Sequence, residues 1–440
     1  MAEEHKVLLA GADERDLTQL GEYRAIGGYS GVDKARAMTP EELIAELERA
    51  MLRGRGGAGF PMGRKASLID RKSPKPKYLV VNADESEPGA FKDREVMARV
   101  PHRLIEGCLI SAHAIESKDV FIYIRGEYLA EFETLVAALE EVRKAKLLGG
   151  VTIVVHRGAG AYICGEETAL LESLEGKRGQ PRSKPPFPAI QGLYASPTLI
   201  NNVETISTLP KVIQLGGAEF AKIGAPPNST GTRIFCLSGH LEQPGNYERP
   251  HGITVRELID DVGGGITGGR RLKAVMLGGS SFPVLTPDQL DTPMDADSLS
   301  AQGLFIGSGV VCAIDDRTCM VQFALRVAQF YMHESCGKCT PCREGTRWMV
   351  QILEKVEAGE AEPSEFDLLL SICDRIIGKC LCVLGDSAAM PVASCVTKFR
   401  AEFQEHLDRG GCPFGETSPL DDLFAPIDQH GLHPTVEVPA

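Results

Sequence analysis

Apolar and polar residues along the first half of the chain predict helices and strands in alternation. Residues 40–52 have helical periodicity, because Leu43, Ile44, Leu47 and Met51 fall on one face. The elements predicted after this helix are, in chain order, strand 77–81, helix 102–115, strand 120–124, helix 129–146, strand 151–155 and a helix from about residue 165. This order predicts an α/β fold with a Rossmann-like, mostly parallel sheet covered on both faces.

In the second half of the chain the pattern of apolar and polar residues changes twice, near residue 230 and near residue 318. "TRIFCLSG" and "GNYERP" predict a hairpin, "TVRELIDDVGG" a short helix capped by Thr254, and "LKAVMLGG" another strand, which together indicate a small β-grasp (ubiquitin-like) domain. From about residue 318 the pattern is helical. The predicted units are an N-terminal helical segment (1–50), the α/β domain (51–228), the β-grasp domain (229–317), a helical domain (318–408) and a loosely attached C-terminal tail (409–440).

Composition narrows the functional classes. The formal net charge of −13 argues against nucleic acid as a main partner. No apolar run approaches the ~20 residues of a membrane span, and the charged N-terminus has no signal-peptide pattern. The 13 cysteines are odd in number in a long chain, so reduced thiols and metal ligation are expected rather than disulfides. We therefore expect a cytoplasmic protein.

Two glycine segments are candidate ligand loops. "GRGGAG" (54–59) has the letters of a dinucleotide fingerprint, but a helix precedes it and Phe60-Pro61 follows, so the standard Rossmann interpretation is rejected. Its bare backbone amides could approach a phosphate or a flat ring; the alternative is a flexible loop. "HRGAGAYICGEE" (156–167) leads from a strand to a helix, where open α/β sheets bind ligands. Asn201-Asn202 precedes another helix, either as a cap or as part of that site.

The segment "NADESEPGAFKDRE" (82–95) places Asp84, Glu85 and Glu87 directly after a predicted strand. Carboxylates accept hydrogen bonds from sugar hydroxyls and repel a 2′-phosphate, so this loop favours ribose or ribityl binding and NADH over NADPH. The alternative is a solvated acidic turn.

"HESCGKCTPCREG" (333–345) carries Cys336, Cys339 and Cys342 at every third position. Proline at 341 disfavours helix at the preceding residue, so the first two cysteines are expected on a loop and Cys342 at a helix start. Three cysteines in one run plus a distant one favour an iron–sulfur cluster over structural zinc, which usually pairs two C-x₂-C hooks. The possible fourth ligands are Cys373, Cys380, Cys382 and Cys395.

Six motifs occur in order: "LRGRGGAGFP", "NADESEPGAFKDRE", "RGAGAYICGEETAL", "KPPFP", "INNVET" and "HESCGKCTPCREG". With them the chain resembles the NADH-oxidising flavoprotein (51-kDa-type) subunits of respiratory complex I over residues 25–405. It is also similar to the diaphorase subunits of NAD-linked hydrogenases and formate dehydrogenases. The resemblance implies FMN, NAD(H) and one [4Fe–4S] cluster, with hydride passing from NADH to FMN and single electrons to the cluster.

By position, the resemblance also implies functional residues. The FMN residues would be Gly54, Arg55, Gly56, Gly57, Lys65, Asn82, Asp84, Glu85, Ser86, Tyr162, Gly165, Glu166, Glu167, Asn201, Asn202 and Thr205. The NADH residues would be Phe60, Glu87, Glu167, Lys184 and Phe187. The cluster ligands would be Cys336, Cys339, Cys342 and Cys382, the last chosen over Cys380 by register with the family's segment.

One departure concerns the nucleotide pocket: "MGRKASL" has Ala66 and Leu68 where the family usually carries aromatics, which puts adenine packing there in doubt. The implied partners are a thioredoxin-like [2Fe–2S] subunit and a large iron–sulfur subunit, with the complex on the cytoplasmic face of a membrane. Two alternatives stay open: a diaphorase subunit of a soluble formate dehydrogenase or hydrogenase, and a non-catalytic scaffold with a vestigial pocket.

Overall fold

The computed structural model describes residues 6–415, 418 and 419. Its helices are α1 (Leu20–Ala25), α2 (Ser30–Arg36), α3 (Pro40–Arg49), α4 (Met62–Ser67), α5 (Lys92–Arg99), α6 (Pro101–Ala114), α7 (Leu129–Lys144), α8 (Glu167–Leu174), α9 (Pro188–Gln191), α10 (Val203–Leu215), α11 (Gly217–Phe220), α12 (Val255–Glu257), α13 (Ala296–Ala301), α14 (Met320–Glu334), α15 (Thr340–Glu357), α16 (Ser364–Ile376), α17 (Leu384–Lys398) and α18 (Arg400–Arg409). Its strands are β1 (Tyr78–Ala83), β2 (Asp119–Ile124), β3 (Thr152–Arg157), β4 (Thr198–Asn202), β5 (Gly224–Ala225), β6 (Ser229–Thr230), β7 (Thr232–Gly239), β8 (Gly245–Pro250), β9 (Leu272–Leu277) and β10 (Val310–Asp315).

The first sheet is parallel throughout, in the order β3-β2-β1-β4. Alternate residues of β1 face opposite cores: Leu79 and Val81 pack with the helices of the N-terminal half, and Val80 packs with Ile200 towards the C-terminal helices. A parallel sheet buried on both faces is therefore confirmed, and with it the predicted fold class. Strand β4 was not predicted, because its five residues end in two asparagines and show no long apolar run.

The second sheet has the order β8-β7-β10-β9. The β7–β8 hairpin and the capping box of Thr254 with Glu257 match the sequence prediction. Strand β10 was missed, although it is central: it pairs parallel with β7 and antiparallel with β9. The glycine-rich segment that precedes β10 gave no strand pattern, so the strand was not predicted. Strand β10 completes the mixed sheet of the β-grasp-like domain.

Helices α14–α18 form the predicted C-terminal helical domain around Phe366 and Phe403, whose rings meet edge to face. The expectation of a loose tail is wrong for residues 410–415. Cys412 and Phe414 pack against the core of these helices, and Lys273 Nζ lies 4.3 Å from the Phe414 ring centroid. Most of the remaining predicted tail lies outside the described residues.

The N-terminal segment is built into the main core. Residues 7–9 are buried, and their three backbone N–H groups donate to the Glu248 carboxylate of β8 at 2.7–3.0 Å. Helix α3 begins with Thr39 and Glu42 in a capping box, as its sequence predicts. Among the described helices, none combines the length and the apolar character needed to cross a bilayer.

Candidate active site

The predicted cofactor residues converge where β1 and β4 end. The loop 54–59 approaches Asn202 so closely that a Cβ on Gly56 would lie 3.0 Å from the Asn202 Cβ. The backbone N–H of Arg55 donates to Thr205 Oγ1 at 2.8 Å, and Asn82 Nδ2 donates to the Gly165 carbonyl at 2.8 Å. Both glycine segments and both strand ends therefore border one site.

The Arg55 side chain has another task. It is buried, and its guanidinium donates to the carbonyls of Thr230 and Thr232 at 2.7 and 3.0 Å, next to the second sheet. Burial lowers the Arg55 pKa to about 10, against the opposing effect of Glu204. The backbone N–H of Arg55 donates to Thr205 and its carbonyl accepts from Arg233, so Arg55 positions the glycine loop.

Glu85 is occupied by the start of α5. Its carboxylate accepts from the backbone N–H groups of Asp93 and Arg94, each at 2.9 Å, and from the Tyr128 hydroxyl at 3.2 Å. Burial, to which the Asp93 carboxylate adds, raises the pKa of Glu85. The geometry gives Glu85 a positioning part: it fixes the acidic loop against α5.

Two buried polar atoms at the strand ends have no partner within the described residues: Asp84 Oδ2 and Asn201 Nδ2. Burial raises the Asp84 pKa to about 7, with Arg125 and Ser86 acting in the opposite direction. A buried acceptor and a buried donor left unpaired each cost free energy unless a ligand satisfies them. A hydroxyl-rich chain ending in a phosphate, with glycine amides beside it, supplies such partners, so the residues fit FMN.

A buried ion network beneath the site was missed by the sequence analysis. Lys92 Nζ lies 2.7 Å from Asp93 Oδ1 and 3.0 Å from Glu204 Oε2, and all three side chains are buried. Burial alone would lower the Lys92 pKa, but Asp93 and Glu204 outweigh it and raise the pKa. Asn202 caps α10 through Glu204 N–H and donates to Asp93 Oδ2 at 2.6 Å, so the network fixes the β4 end.

The Glu87 carboxylate accepts hydrogen bonds from Ser281, which follows strand β9 of the second sheet. It accepts from the Tyr162 hydroxyl at 2.8 Å, and from both the hydroxyl and the backbone N–H of Ser281 at 2.8 and 2.9 Å. Burial raises the Glu87 pKa against these hydrogen bonds. Ser281, which follows β9, had no sequence signal that tied it to the acidic loop.

Glu167 lies between two lysines. Its Oε2 is 2.9 Å from Lys65 Nζ, and its Oε1 is 2.9 Å from Lys184 Nζ, which also contacts Glu166 at 3.0 Å. Burial alone would raise the Glu167 pKa, but Lys65 and Lys184 outweigh it and lower the pKa. Glu166 also caps α8 by accepting from Thr168 N–H and Ala169 N–H.

Phe60 and Phe187 are exposed aromatics, at 48 % and 56 % of their full area. Aromatic rings this open are available for stacking against a planar ligand group. Of the two residues that depart from the family pattern, Ala66 is fully buried in α4, whereas Leu68 is 45 % exposed. Only Leu68 is therefore placed to contact a ligand.

The cysteine run has the predicted local structure. Cys336 lies on the loop after α14, Cys339 is the N-cap residue of α15, and Cys342 lies in its first turn. Ser335 Oγ is 3.2 Å from Cys342 Sγ, and Leu381 N–H donates to Cys339 Sγ at 3.2 Å. The contact with Leu381 brings residues 380–382 to the run, which leaves two of the four candidates for the fourth ligand.

The two candidates at this position differ in surroundings. Cys380 Sγ lies 3.8 Å from the Ile376 carbonyl and would touch a Cβ on Gly385. Cys342 and Cys339 lie near the Cys380 thiol, and Cys336 and Cys342 lie near the Cys382 thiol. Burial raises the pKa of both thiols to about 12. Thiolates are therefore unfavourable at both positions near neutral pH, and ligation at either one would require the metal to displace the thiol proton.

The cysteine loop is fastened to the first domain. Gln180 Nε2 donates to the Cys336 carbonyl at 3.1 Å, and Lys338 Nζ donates to the Pro181 carbonyl at 2.6 Å. Glu334 accepts from Tyr162 N–H at 3.0 Å. The cysteines and the α/β site therefore share one interface.

Comparison with known proteins gives this arrangement a family. Residues 47–211 match the Nuo51 FMN-binding domain, 234–285 the SLBB domain, and 322–406 the NADH-ubiquinone oxidoreductase-F iron-sulfur binding region. The chain is 50 % identical over 417 residues to a second F-type subunit of NADH-quinone oxidoreductase from Rhizobium meliloti (strain 1021), covering 93 % of this chain and 99 % of the relative. This chain belongs to the family of F-type NADH-quinone oxidoreductase subunits.

Other relatives agree. The F-type NADH-quinone oxidoreductase subunit of Streptomyces coelicolor (strain ATCC BAA-471 / A3(2) / M145) is 49 % identical over 416 residues, covering 93 % of this chain and 92 % of the relative. A chain in the crystal structure of NAD⁺-reducing [NiFe]-hydrogenase in the H2-reduced state has a TM-score of 0.81 and 36 % identity, over 93 % of this chain and 68 % of that one. The family, an NADH oxidoreductase function, FMN and a [4Fe–4S] cluster are thus confirmed.

Proposed function

We propose that the site at the ends of β1 and β4 binds FMN and NADH, and that electrons leave through a [4Fe–4S] cluster at the start of α15. The observation that carries this is the pair of unpartnered buried atoms, Asp84 Oδ2 and Asn201 Nδ2, beside the glycine loop. When bound, FMN would supply hydride acceptance from NADH and release of single electrons, and a [4Fe–4S] cluster would supply one-electron acceptance.

The chain's own contribution is binding and orientation, because this chemistry needs no protein acid or base. Asp84 would accept from a ribityl hydroxyl, Asn201 would donate to the same cofactor, and the backbone N–H groups of Gly56 and Gly57 would donate to its phosphate. The other FMN contacts would come from the remaining residues that the family resemblance implies, with Arg55 and Glu85 positioning their loops. The Lys92 network holds the β4 end in place while ligands exchange.

For NADH, Phe60 and Phe187 offer exposed aromatic faces, and Lys184 meets the pyrophosphate by exchanging its contacts with Glu166 and Glu167. Glu87 accepts from the adenosine ribose and opposes a 2′-phosphate, which favours NADH over NADPH. Because Ser281 and Tyr162 hold Glu87, this preference depends on contacts between the two sheets.

The proposed cluster ligands are Cys336, Cys339, Cys342 and Cys382. Support for Cys382 over Cys380 comes from family register, because both thiols have cysteines of the run as neighbours. The start of α15 adds a favourable dipole for the negative charge of a thiolate-bound cluster.

The names of the relatives describe subunits, so this chain works within a complex. We propose a thioredoxin-like [2Fe–2S] subunit and a large iron–sulfur subunit as its partners, at the cytoplasmic face of a membrane. We also propose that the chain divides into five units with boundaries after residues 50, 228, 317 and 408.

A second candidate is a diaphorase subunit of a soluble NAD-linked hydrogenase or formate dehydrogenase. The observation that favours it is the TM-score of 0.81 with a chain of NAD⁺-reducing [NiFe]-hydrogenase. The subunits that co-purify with this chain separate the two functions: complex I partners support the first, and a hydrogenase or formate dehydrogenase large subunit supports the second.

The direct test is purification of the full chain without oxygen, followed by flavin and iron analysis. We expect one FMN and about four irons per chain, and a flavin absorbance that NADH bleaches and that NADPH bleaches far more slowly. A colourless, folded protein would instead support the scaffold alternative.

A further inference from the structure

A second group of potential metal ligands lies at the other end of α15. Cys319 is the N-cap residue of α14, Glu357 is the last residue of α15, His406 lies near the end of α18, and Cys412 follows that helix. One ligand atom from each side chain lies within 4.8 Å of the other three. An 18-residue helix is about 27 Å long, so this group is separate from the cysteines at the start of α15.

The distances within the group already approach those of a metal coordination shell. Cys319 Sγ is 3.2 Å from His406 Nε2 and 4.0 Å from Glu357 Oε2, and the latter two atoms are 3.4 Å apart. In a tetrahedral zinc site with bonds of about 2.0–2.3 Å, ligand atoms lie roughly 3.3–3.8 Å from one another. Small side-chain shifts would therefore suffice to enclose an ion.

Neighbouring groups orient the inward-facing atoms. His406 Nδ1 lies 2.8 Å from the Glu402 carbonyl, which fixes the ring with Nε2 towards the group. Gln322 Nε2 donates to Glu357 Oε1 at 2.9 Å, and Gln322 N–H donates to Cys319 Sγ at 3.4 Å. A histidine whose second nitrogen bonds a carbonyl, beside a hydrogen-bonded carboxylate, is the usual support of metal ligands.

We propose that Cys319, Glu357, His406 and Cys412 bind one zinc ion that fastens residues 410–415 to the helical domain. Two sulfurs, one imidazole and one carboxylate suit a borderline-soft ion, and four protein ligands leave no open position for substrate. The site is therefore structural rather than catalytic. Binding releases two protons to solvent in total, because both sulfurs must be thiolates and the imidazole must be neutral.

The rival arrangement is a disulfide between Cys319 and Cys412. Such a bond would involve neither His406 nor Glu357. It would therefore not explain why the Glu402 carbonyl orients His406 or why Gln322 orients Glu357. The zinc site accounts for all four side chains, whereas the disulfide accounts for two.

The test is metal analysis of the full, cluster-loaded chain. We expect one zinc per chain in addition to iron, and X-ray absorption at the zinc edge should give two sulfur and two nitrogen or oxygen ligands. Cys412→Ser should lose zinc at least about tenfold more readily to a chelator while iron stays unchanged. Cys312→Ser, which alters another partly exposed cysteine outside the group, should keep its zinc.

Zinc at less than about one tenth of the chain concentration, an all-oxygen-and-nitrogen coordination shell, or equal retention in Cys412→Ser and wild type would overturn the proposal. A Cys319–Cys412 disulfide in non-reduced peptide maps would do the same. If Cys412→Ser does not fold, the absorption spectrum of the wild-type protein decides alone. Because iron and FMN are measured in the same samples, failure here is distinguishable from failure of the proposed electron-transfer role.

Discussion

The flavin side and the cysteine side of the proposed electron path hold their ligand atoms by different means. At the ends of β1 and β4, buried charges do this work: Lys92, Asp93 and Glu204 pair with one another, and Asn202 bonds to Asp93. At the start of α15, burial raises the pKa of Cys380 and Cys382 to about 12, and the described residues there form no comparable ion network. The first site is therefore held by buried ion pairs, whereas the second is held by hydrogen bonds such as those from Gln180 to the Cys336 carbonyl and from Leu381 to Cys339.

The largest difference between the two sites is expected when the proposed fourth cluster ligand is replaced. Cys382→Ala should remove the cluster entirely, with iron falling to near zero and its paramagnetic resonance signal lost. FMN and part of the NADH-to-dye activity should remain, because the flavin site has its own supports. The matched variant Cys380→Ala should keep the iron; if the two variants exchange behaviour, Cys380 is the ligand.

The next largest effect is expected at the ion network. Lys92→Met removes the buried ion-pair partner that Asp93 and Glu204 share and leaves Glu204 to Arg55 and Arg233 alone. Unfolding free energy should therefore fall by about 3–5 kcal/mol in denaturant titrations. Lys118→Met, which alters an exposed lysine, should change it by less than about 0.5 kcal/mol. A small loss in Lys92→Met would mean that the network does not organise the flavin site.

The Asp84 carboxyl gives a pH-dependent prediction for the flavin-free protein. Its folded pKa of about 7 exceeds the unfolded value of about 3.9, so the folded state binds this proton more tightly between those values. Its contribution to unfolding free energy should thus fall as pH rises from about 4 to about 7, by at most about 1.4 kcal/mol per unit, and be constant above that.

Asp84→Asn should remove that contribution while leaving those of Glu85 and Glu87. The measurement is the difference in unfolding free energy between wild type and variant across pH 4–8. A difference that stays constant with pH would show that Asp84 is not buried as described.

The smallest effect is expected at the cluster's hydrogen bonds. Ser335 Oγ lies 3.2 Å from Cys342 Sγ, and a donor to a ligating sulfur raises the reduction potential. Ser335→Ala should keep the full iron content and shift the potential to more negative values in a redox titration. Thr397→Ala, on an exposed turn of α17, is the matched control and should leave the potential unchanged.

The sequence predicted the longer helices and strands β1–β3 and β7–β9, because their apolar patterns are long, but it did not predict individual short helices such as α1, α2, α4 and α5. It missed β4 and β10, whose pairing partners are distant in the chain: β4 is short and ends in polar residues, and β10 follows a glycine-rich loop. These two segments are extended because they pair with strands far away in the sequence, and their own residue pattern does not indicate a strand.

The candidate site was predictable in part. Its motifs grouped the acidic loop, the glycine loops and the cysteine run, and the structure brings these segments together. The buried roles of Lys92 and Arg55 were not visible, because a charged residue in a sequence normally indicates a solvated position. Ser281 was missed because only the folded chain brings the segment after β9 to Glu87.

The hydrogen bonds between residues 7–9 and the Glu248 carboxylate affect the order of events during synthesis of the chain. The amides of this segment leave the ribosome about 240 residues before their acceptor does. At roughly 5–20 residues per second, this interval is about 12–48 s during translation. During this interval three apolar residues and their N–H groups lack the carboxylate that pairs with them in the folded chain, so a chaperone that covers hydrophobic nascent chains has time to bind this segment.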